Sequence, residues 1–247
     1  MTKVKGKWAL ITGASRGIGY RIALSMAEMG CNLVLHSRCI SHTEKVLEEV
    51  KALGVDAYAV QAELSDLNAV NRMFVEIEEK ETHIDIIFND AGVQVAYRHD
   101  FFKTPPEDFT QSFIINTITP MMICYRFIPK MVERGFGRII NTTSGIKNEP
   151  QQAGYSASKA ALDKVTKDLG SRLEGTNVMI NLVKPGWCNT DLGGPHAPNS
   201  VDSVIPGMVI GAFLDDKKSG RVIDAQAFAG MTLEDAVRKA ASIEKEE

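Results

Sequence analysis

The sequence predicts one α/β domain built on an open parallel β-sheet with helices on both faces. Three observations point there. Short apolar runs alternate with stretches of helical periodicity along the chain, the order expected of strands joined by crossover helices. The first run, residues 7–12 (KWALIT), passes directly into a glycine-rich turn, Gly13-Ala-Ser-Arg-Gly17-Ile-Gly19, that opens a helix. Later runs end in polar or small residues, at the strand ends where open parallel sheets bind their ligands.

Length and composition fit this class. The chain has 247 residues, 44% apolar and 24% charged, with a net charge of −3. That is an ordinary globular composition. The 28 Lys and Arg residues form no long run, so nucleic acid is not an expected partner. Cys31, Cys39, Cys124 and Cys188 show neither CxxC spacing nor a histidine cluster, so no metal site is expected and the thiols are read as reduced. No apolar stretch approaches membrane-spanning length, and the N-terminal apolar run is too short for a signal peptide, so the expected location is the cytoplasm. One domain over residues 1–247 is the simplest organisation.

The elements follow in order. After the glycine turn a helix runs to Gly30. A second strand, 32–36, ends in Ser37-Arg38. Helix 41–53, strand 55–60, helix 66–81 and strand 84–88 continue the pattern. The turn Glu63-Leu64-Ser65-Asp66 would lie near an adenine, and Asn89-Asp90-Ala91-Gly92 closes the fourth strand. A long helical region, 106–134, contains Pro120 and Pro129 and so must kink or break. Within it Asn116 stands among Phe113, Ile114, Ile115 and Ile118; a buried Asn needs partners. Strand 138–143 ends at Ser144, a loop follows, and a helix runs from Tyr155 to about Leu173. Strand 177–183 leads to the sharp turn Lys184-Pro185-Gly186. A Gly/Pro-rich flap, 191–215, should cover the strand ends, with an apolar helix near 201–214. A last strand at 221–224 and a charged helix over 231–247 complete the chain.

Two stretches carry chemistry. Glycines between strand and helix let a backbone approach a diphosphate, which the helix amides then meet. The second strand ends without the acid that would bind ribose hydroxyls; Arg38, with Arg16 in the glycine turn, offers a guanidinium fork for a 2′-phosphate instead. Solvated arginines are the plain alternative. In the other stretch, GYSASKAAL, Tyr155 and Lys159 sit one helical turn apart, so both project from one face. An ammonium beside a phenol favours the phenolate, which makes the pair a general acid/base unit for a carbonyl or alcohol oxygen.

Four signals in order, TGASRGIG (12–19), NDAG (89–92), Ser144 ahead of YSASK (155–159), and PGWCNT (185–190), closely resemble the short-chain dehydrogenase/reductase family. The resemblance implies a Rossmann-type sheet of seven parallel strands. It implies Tyr155 as proton donor or acceptor, Lys159 lowering its pKa and binding the nicotinamide ribose, Ser144 bonding the substrate oxygen, and Asn116 holding a water in a proton relay. Gly13, Ser15, Arg16, Gly17, Ile18 and Gly19 would cradle the phosphates. Ser37 and Arg38 would read the 2′-phosphate, and Glu63 and Leu64 would lie by the adenine. Asn89, Ala91 and Gly92 would line the adenosine and ribose side; Pro185, Gly186 and Thr190 would face the carboxamide.

Three departures stand out. The usual NNAG reads NDAG. The segment from Ser144 to Tyr155 is short, so Thr142 or Thr143 could share the task of Ser144. The usual glycine-rich end after the last strand is replaced by Asp224-Ala-Gln-Ala-Phe, which argues against the ketoacyl reductases of fatty-acid synthesis. The expected activity is hydride transfer between NADP(H), in preference to NAD(H), and a carbonyl or secondary alcohol. Ile146, Trp187 and Leu192 would wall a hydrophobic pocket similar to that of carbonyl reductase or hydroxysteroid dehydrogenase members. A homodimer or homotetramer is expected by resemblance. The competing readings are a non-catalytic nucleotide-binding protein on the same fold and an epimerase or dehydratase.

Overall fold

A computed structural model describes residues 1–243. The expected C-terminal helix over 231–247 is α8, Leu233–Ala240, capped by the Thr232 hydroxyl accepting from the Asp235 amide; its last expected residues, 244–247, lie outside the described ones.

Seven strands, β1 (Trp8–Ile11), β2 (Asn32–Ser37), β3 (Ala57–Gln61), β4 (Ile84–Asn89), β5 (Gly137–Thr142), β6 (Val178–Lys184) and β7 (Val222–Asp224), form one parallel sheet in the order β3-β2-β1-β4-β5-β6-β7. The order reverses between β1 and β4, which places a crevice at the carboxyl ends of those two strands. Both faces of the strands are buried, which is why they read as unbroken apolar runs rather than alternating ones. Ala9 and Ile11 face a layer containing α1 (Gly17–Glu28) and α2 (Glu44–Ala52); Leu10 faces the opposite layer, containing α3 (Leu67–Glu79).

The region 106–134 divides differently from expectation. Helix α4 (Pro106–Phe113) passes into a π-helical turn, Ile114–Ile118, and then into α5 (Thr119–Arg134). Pro120 lies in the first turn of α5, where a missing N–H is harmless, but Pro129 is tolerated within that helix and does not break it. The irregularity therefore falls at Asn116. Helix α6 (Ala153–Leu173) carries Tyr155 in its first turn.

The expected apolar helix near 201–214 is also different. A 3₁₀ turn at Val201–Val204 and a single helical turn, α7 (Ile210–Phe213), share that stretch, with Pro206 and Gly207 between them. A Cβ on Gly207 would lie 2.4 Å from the Ala225 backbone, so the chain there is pressed against the turn after β7.

Candidate active site

The glycine turn is built by close approach. Gly13 has φ +72°, and a Cβ on Gly19 would stand 2.4 Å from the Gly13 carbonyl oxygen. Arg16 caps α1 without a side-chain bond, and the first turn holds no acid, so the helix begins as an electropositive end. Thr12 ties this turn to the next strand: its hydroxyl oxygen accepts from the amides of Asp90 and Ala91 at 3.0 and 3.1 Å. His36 lies beneath. Its Nδ1 accepts from the Gly13 amide at 3.4 Å, which leaves Nε2 to donate to the Ala62 carbonyl at 3.1 Å. Burial lowers its pKa to about 4, so the ring is neutral. Neither Thr12 nor His36 stands out in the sequence, because a strand-end Thr and a lone His look structural.

At the end of β2, Arg38 is exposed, and no acid pairs with it among the described residues. Ser37 departs from expectation: it is buried, and its hydroxyl donates to the Cys39 carbonyl at 2.5 Å, so it is turned away from any ligand. Arg16 does not join Arg38 either. Its guanidinium pairs with Asp191 of the flap at 2.7 Å.

Toward the adenine side, Glu63 is exposed and accepts from the Ser65 amide and hydroxyl, while the Leu64 side chain is buried and its carbonyl accepts from Thr119. Asn89 corrects another expectation. Its Nδ2 donates to Asn141 Oδ1 at 2.8 Å and to the Pro120 carbonyl at 3.4 Å, so its side chain braces the sheet against α5 rather than lining the crevice. Gly92 sits where a Cβ would meet Asn116 Oδ1 at 3.2 Å and Lys159 Nζ at 3.6 Å. Ala91 backs Gly13, within 3.0 Å of its missing Cβ. Across the crevice the Pro185 carbonyl accepts from Gln226, Gly186 turns with φ +78°, and Thr190 packs against Gly17.

Tyr155 and Lys159 are buried, at 7% and 5% exposure. Lys159 Nζ donates to the Thr142 carbonyl at 2.7 Å. Ser144, two residues past β5, stands close enough to the Tyr155 phenol to lower its pKa; Thr142 instead holds Asp90, and the buried Thr143 hydroxyl makes no hydrogen bond among the described residues. The short segment between Ser144 and Tyr155 thus still brings these two together. The phenol pKa is raised, chiefly by burial, with Ser144 opposing and Asp90 adding to the rise. The expected lowering by Lys159 is not among its causes here. Burial pulls the Lys159 pKa down to about 8, against the pull of Asp90 and Asp163. Asn116 Nδ2 donates to the Val93 carbonyl at 2.9 Å and to Ser158 Oγ at 3.0 Å, and its Oδ1 accepts from the Val93 amide at 2.9 Å. Both Nδ2 hydrogens are thereby used, and Oδ1 is turned to the Val93 amide.

A family model described as short chain dehydrogenase matches residues 7–201. The chain belongs to the short chain dehydrogenase family. Within this family it is 35% identical over 196 residues to versicolorin reductase 1 of Aspergillus parasiticus, covering 77% of this chain and 72% of that one. It is 34% identical over 190 residues to the 3-oxoacyl-[acyl-carrier-protein] reductase FabG of Staphylococcus aureus, covering 75% and 76%. Among solved structures, a metagenomic short-chain oxidoreductase in complex with NADP superposes with TM-score 0.69 and 29% identity, over 75% of this chain and 84% of that one. The family match ends ahead of residues 224–228.

Proposed function

We propose that this short chain dehydrogenase transfers hydride between NADP(H) and a carbonyl or secondary alcohol, with Tyr155 as general acid/base. One observation carries the reading: a buried phenol beside Ser144, one helical turn from a buried ammonium, next to a glycine turn in which a Cβ on Gly19 would clash with backbone. The cradle fits a dinucleotide diphosphate, because Gly13 and Gly19 bring bare backbone to an electropositive helix end. Gly17 and Ile18 begin that helix and Ser15 precedes it. Arg38 would hold the 2′-phosphate, and the relatives' NADP ligand favours the same cofactor. Bound there, the nicotinamide supplies or accepts the hydride.

The residues of the chain supply the proton. Burial keeps the Tyr155 phenol protonated at neutral pH, the state needed to donate to a nascent alkoxide. Lys159, with a pKa of about 8, is charged at pH 7 and stabilises the phenolate left behind. Ser144 would bond the substrate oxygen. The Asn116 side chain is engaged, so its part in a proton relay falls to its backbone carbonyl, to which Pro120, four residues on, has no N–H to donate. Trp187, 58% exposed, with Leu192 and Ile146, gives the cleft apolar walls, which suits a hydrophobic carbonyl compound. A homo-oligomer fits the exposed Tyr125 and Val132 on α5.

The test follows NADPH absorbance against a panel of ketones and aldehydes, with Tyr155→Phe as control. Turnover of at least one carbonyl, abolished in the control, supports the reading. Cofactor binding without turnover of any compound would favour the non-catalytic alternative.

A further inference from the structure

Asp90 occupies the second position of NDAG, where the family pattern usually carries Asn. Its carboxylate is not free. Thr142 Oγ1 donates to Asp90 Oδ1 at 2.8 Å, the Asp90 amide donates to Thr12 Oγ1 at 3.0 Å, and the Gly19 amide at the start of α1 favours the charged form of the carboxylate. Thr142 is the hinge of the arrangement. Its hydroxyl fixes Asp90 while its carbonyl, at the end of the same strand, receives Lys159 Nζ at 2.7 Å. The two charges therefore meet at one residue on the floor of the cleft.

We propose that Asp90 is a positioning residue for the Tyr155–Lys159 pair: a fixed carboxylate that keeps the Lys159 ammonium charged and in place. The inference rests on the proposed oxidoreductase reading for its catalytic consequence, although the charge coupling exists without it.

A buried ammonium on a single backbone carbonyl would shed its proton readily. Two carboxylates oppose that loss, Asp90 from the β4 end and Asp163 one turn along α6. Asp163 is only partly buried and stands among Lys184, Lys159 and Lys167, so its charge is shared with three cations and better screened than that of Asp90. Among the described residues, Lys159 is the cation that acts on Asp90; Tyr155 and Cys188 also feel its charge, which adds to the rise of both their pKa values. Burial raises the Asp90 pKa to about 6, with Thr142, Lys159 and the Gly19 amide opposing. Its support is therefore withdrawn below that pH, and the pair titrates as a unit.

The test is Asp90→Asn, which keeps size and shape and restores the residue usual in the family. With a reducible ketone, the alkaline limb of the kcat/KM profile should move down by roughly one pH unit, since Lys159 then deprotonates earlier. A purely structural Asp90 would lower kcat/KM at every pH without moving that limb, and that result overturns the proposal. Independently of activity, the 13Cε resonance of Lys159 in 13C-lysine-labelled wild type, assigned by its loss in Lys159→Arg, should show a small inflection near pH 6 from Asp90 and its main transition near 8. The main transition should fall in Asp90→Asn. A wild-type Lys159 resonance blind to the pH 6 step refutes the coupling even if the variant does not fold. Absence of ketone turnover alongside intact coupling would refute only the oxidoreductase reading.

Discussion

Arg16 and Asp191 close an ion pair of 2.7 Å between the glycine turn and the flap, with both side chains about two-thirds exposed. The sequence suggested that Arg16 helps Arg38 hold a 2′-phosphate. The structure commits it to the flap, and leaves Arg38 as the guanidinium at the end of β2 with no acid partner among the described residues. An exposed pair of this kind is weak.

Cofactor preference should therefore rest on Arg38. Charge-assisted bonds to a phosphate predict NADPH preferred over NADH by roughly ten- to a hundredfold in kcat/KM. Arg38→Ala should erase most of that preference while NADH turnover barely changes. Arg16→Ala should have a smaller effect, and Asp191→Asn, by releasing Arg16, should leave the preference unchanged or raise it. A wild type that prefers NADH in steady-state assays would contradict the assignment.

Tyr155→Phe removes one oxygen from a buried site and should leave the fold and NADPH binding nearly intact. A positioned acid/base contributes roughly 10²- to 10⁴-fold, and kcat should fall by that order. The check combines steady-state kinetics with NADPH fluorescence titration. Retention of more than about a tenth of kcat would remove Tyr155 from the proton transfer.

Gly19→Ala should damage the cofactor cradle through backbone rather than side chain. The added methyl would meet the Gly13 carbonyl oxygen at 2.4 Å, and backbone cannot step aside as a side-chain tip can. Overpacking of this kind costs about 1–3 kcal/mol, so the melting temperature should drop and the KM for NADPH should rise. Gly145→Ala is the stability control, since nothing lies within 4 Å of its missing Cβ. Equal melting of the two variants would show that the turn can relax.

The sheet was legible because buried parallel strands are written as plain apolar runs, and the cradle because glycine has few other reasons to cluster at a strand–helix junction. Tyr155 and Lys159 were legible through helical spacing alone. What escaped depends on where side chains turn. Nothing in the string Ser37-Arg38 says that the hydroxyl folds back onto Cys39 while the guanidinium stays out. Asn89 and Asn116 look alike as polar residues among apolar ones, yet one braces the sheet and the other locks a π turn to Val93 and Ser158. Pro120 and Pro129 predict a kink or break, and α5 runs unbroken past Pro129, because a helix packed along one side can tolerate a lost bond that an isolated helix cannot. His36 was missed for a similar reason: its partners, Gly13 and Ala62, come from two other strand ends.

His36 gives the last prediction, an acid sensitivity of folding. Its pKa is about 4 in the folded chain and near 6.5 when free, so between these values the unfolded chain binds the extra proton. Stability must then fall as pH drops from about 6.5 to about 4, and level off below. The His36 contribution over that window is about 3 kcal/mol as an order of magnitude. Asp90 acts in the opposite sense: its raised pKa, about 6 against 3.8, favours the folded state as pH falls toward 3.8. Total stability therefore blends the two, and the difference between wild type and His36→Asn isolates the histidine. Denaturant melts of both proteins at several pH values should show that difference shifting by a few kcal/mol in favour of the variant between pH 6.5 and 4. A difference independent of pH would mean that the ring is protonated in place, with the Gly13 amide no longer its hydrogen-bond donor.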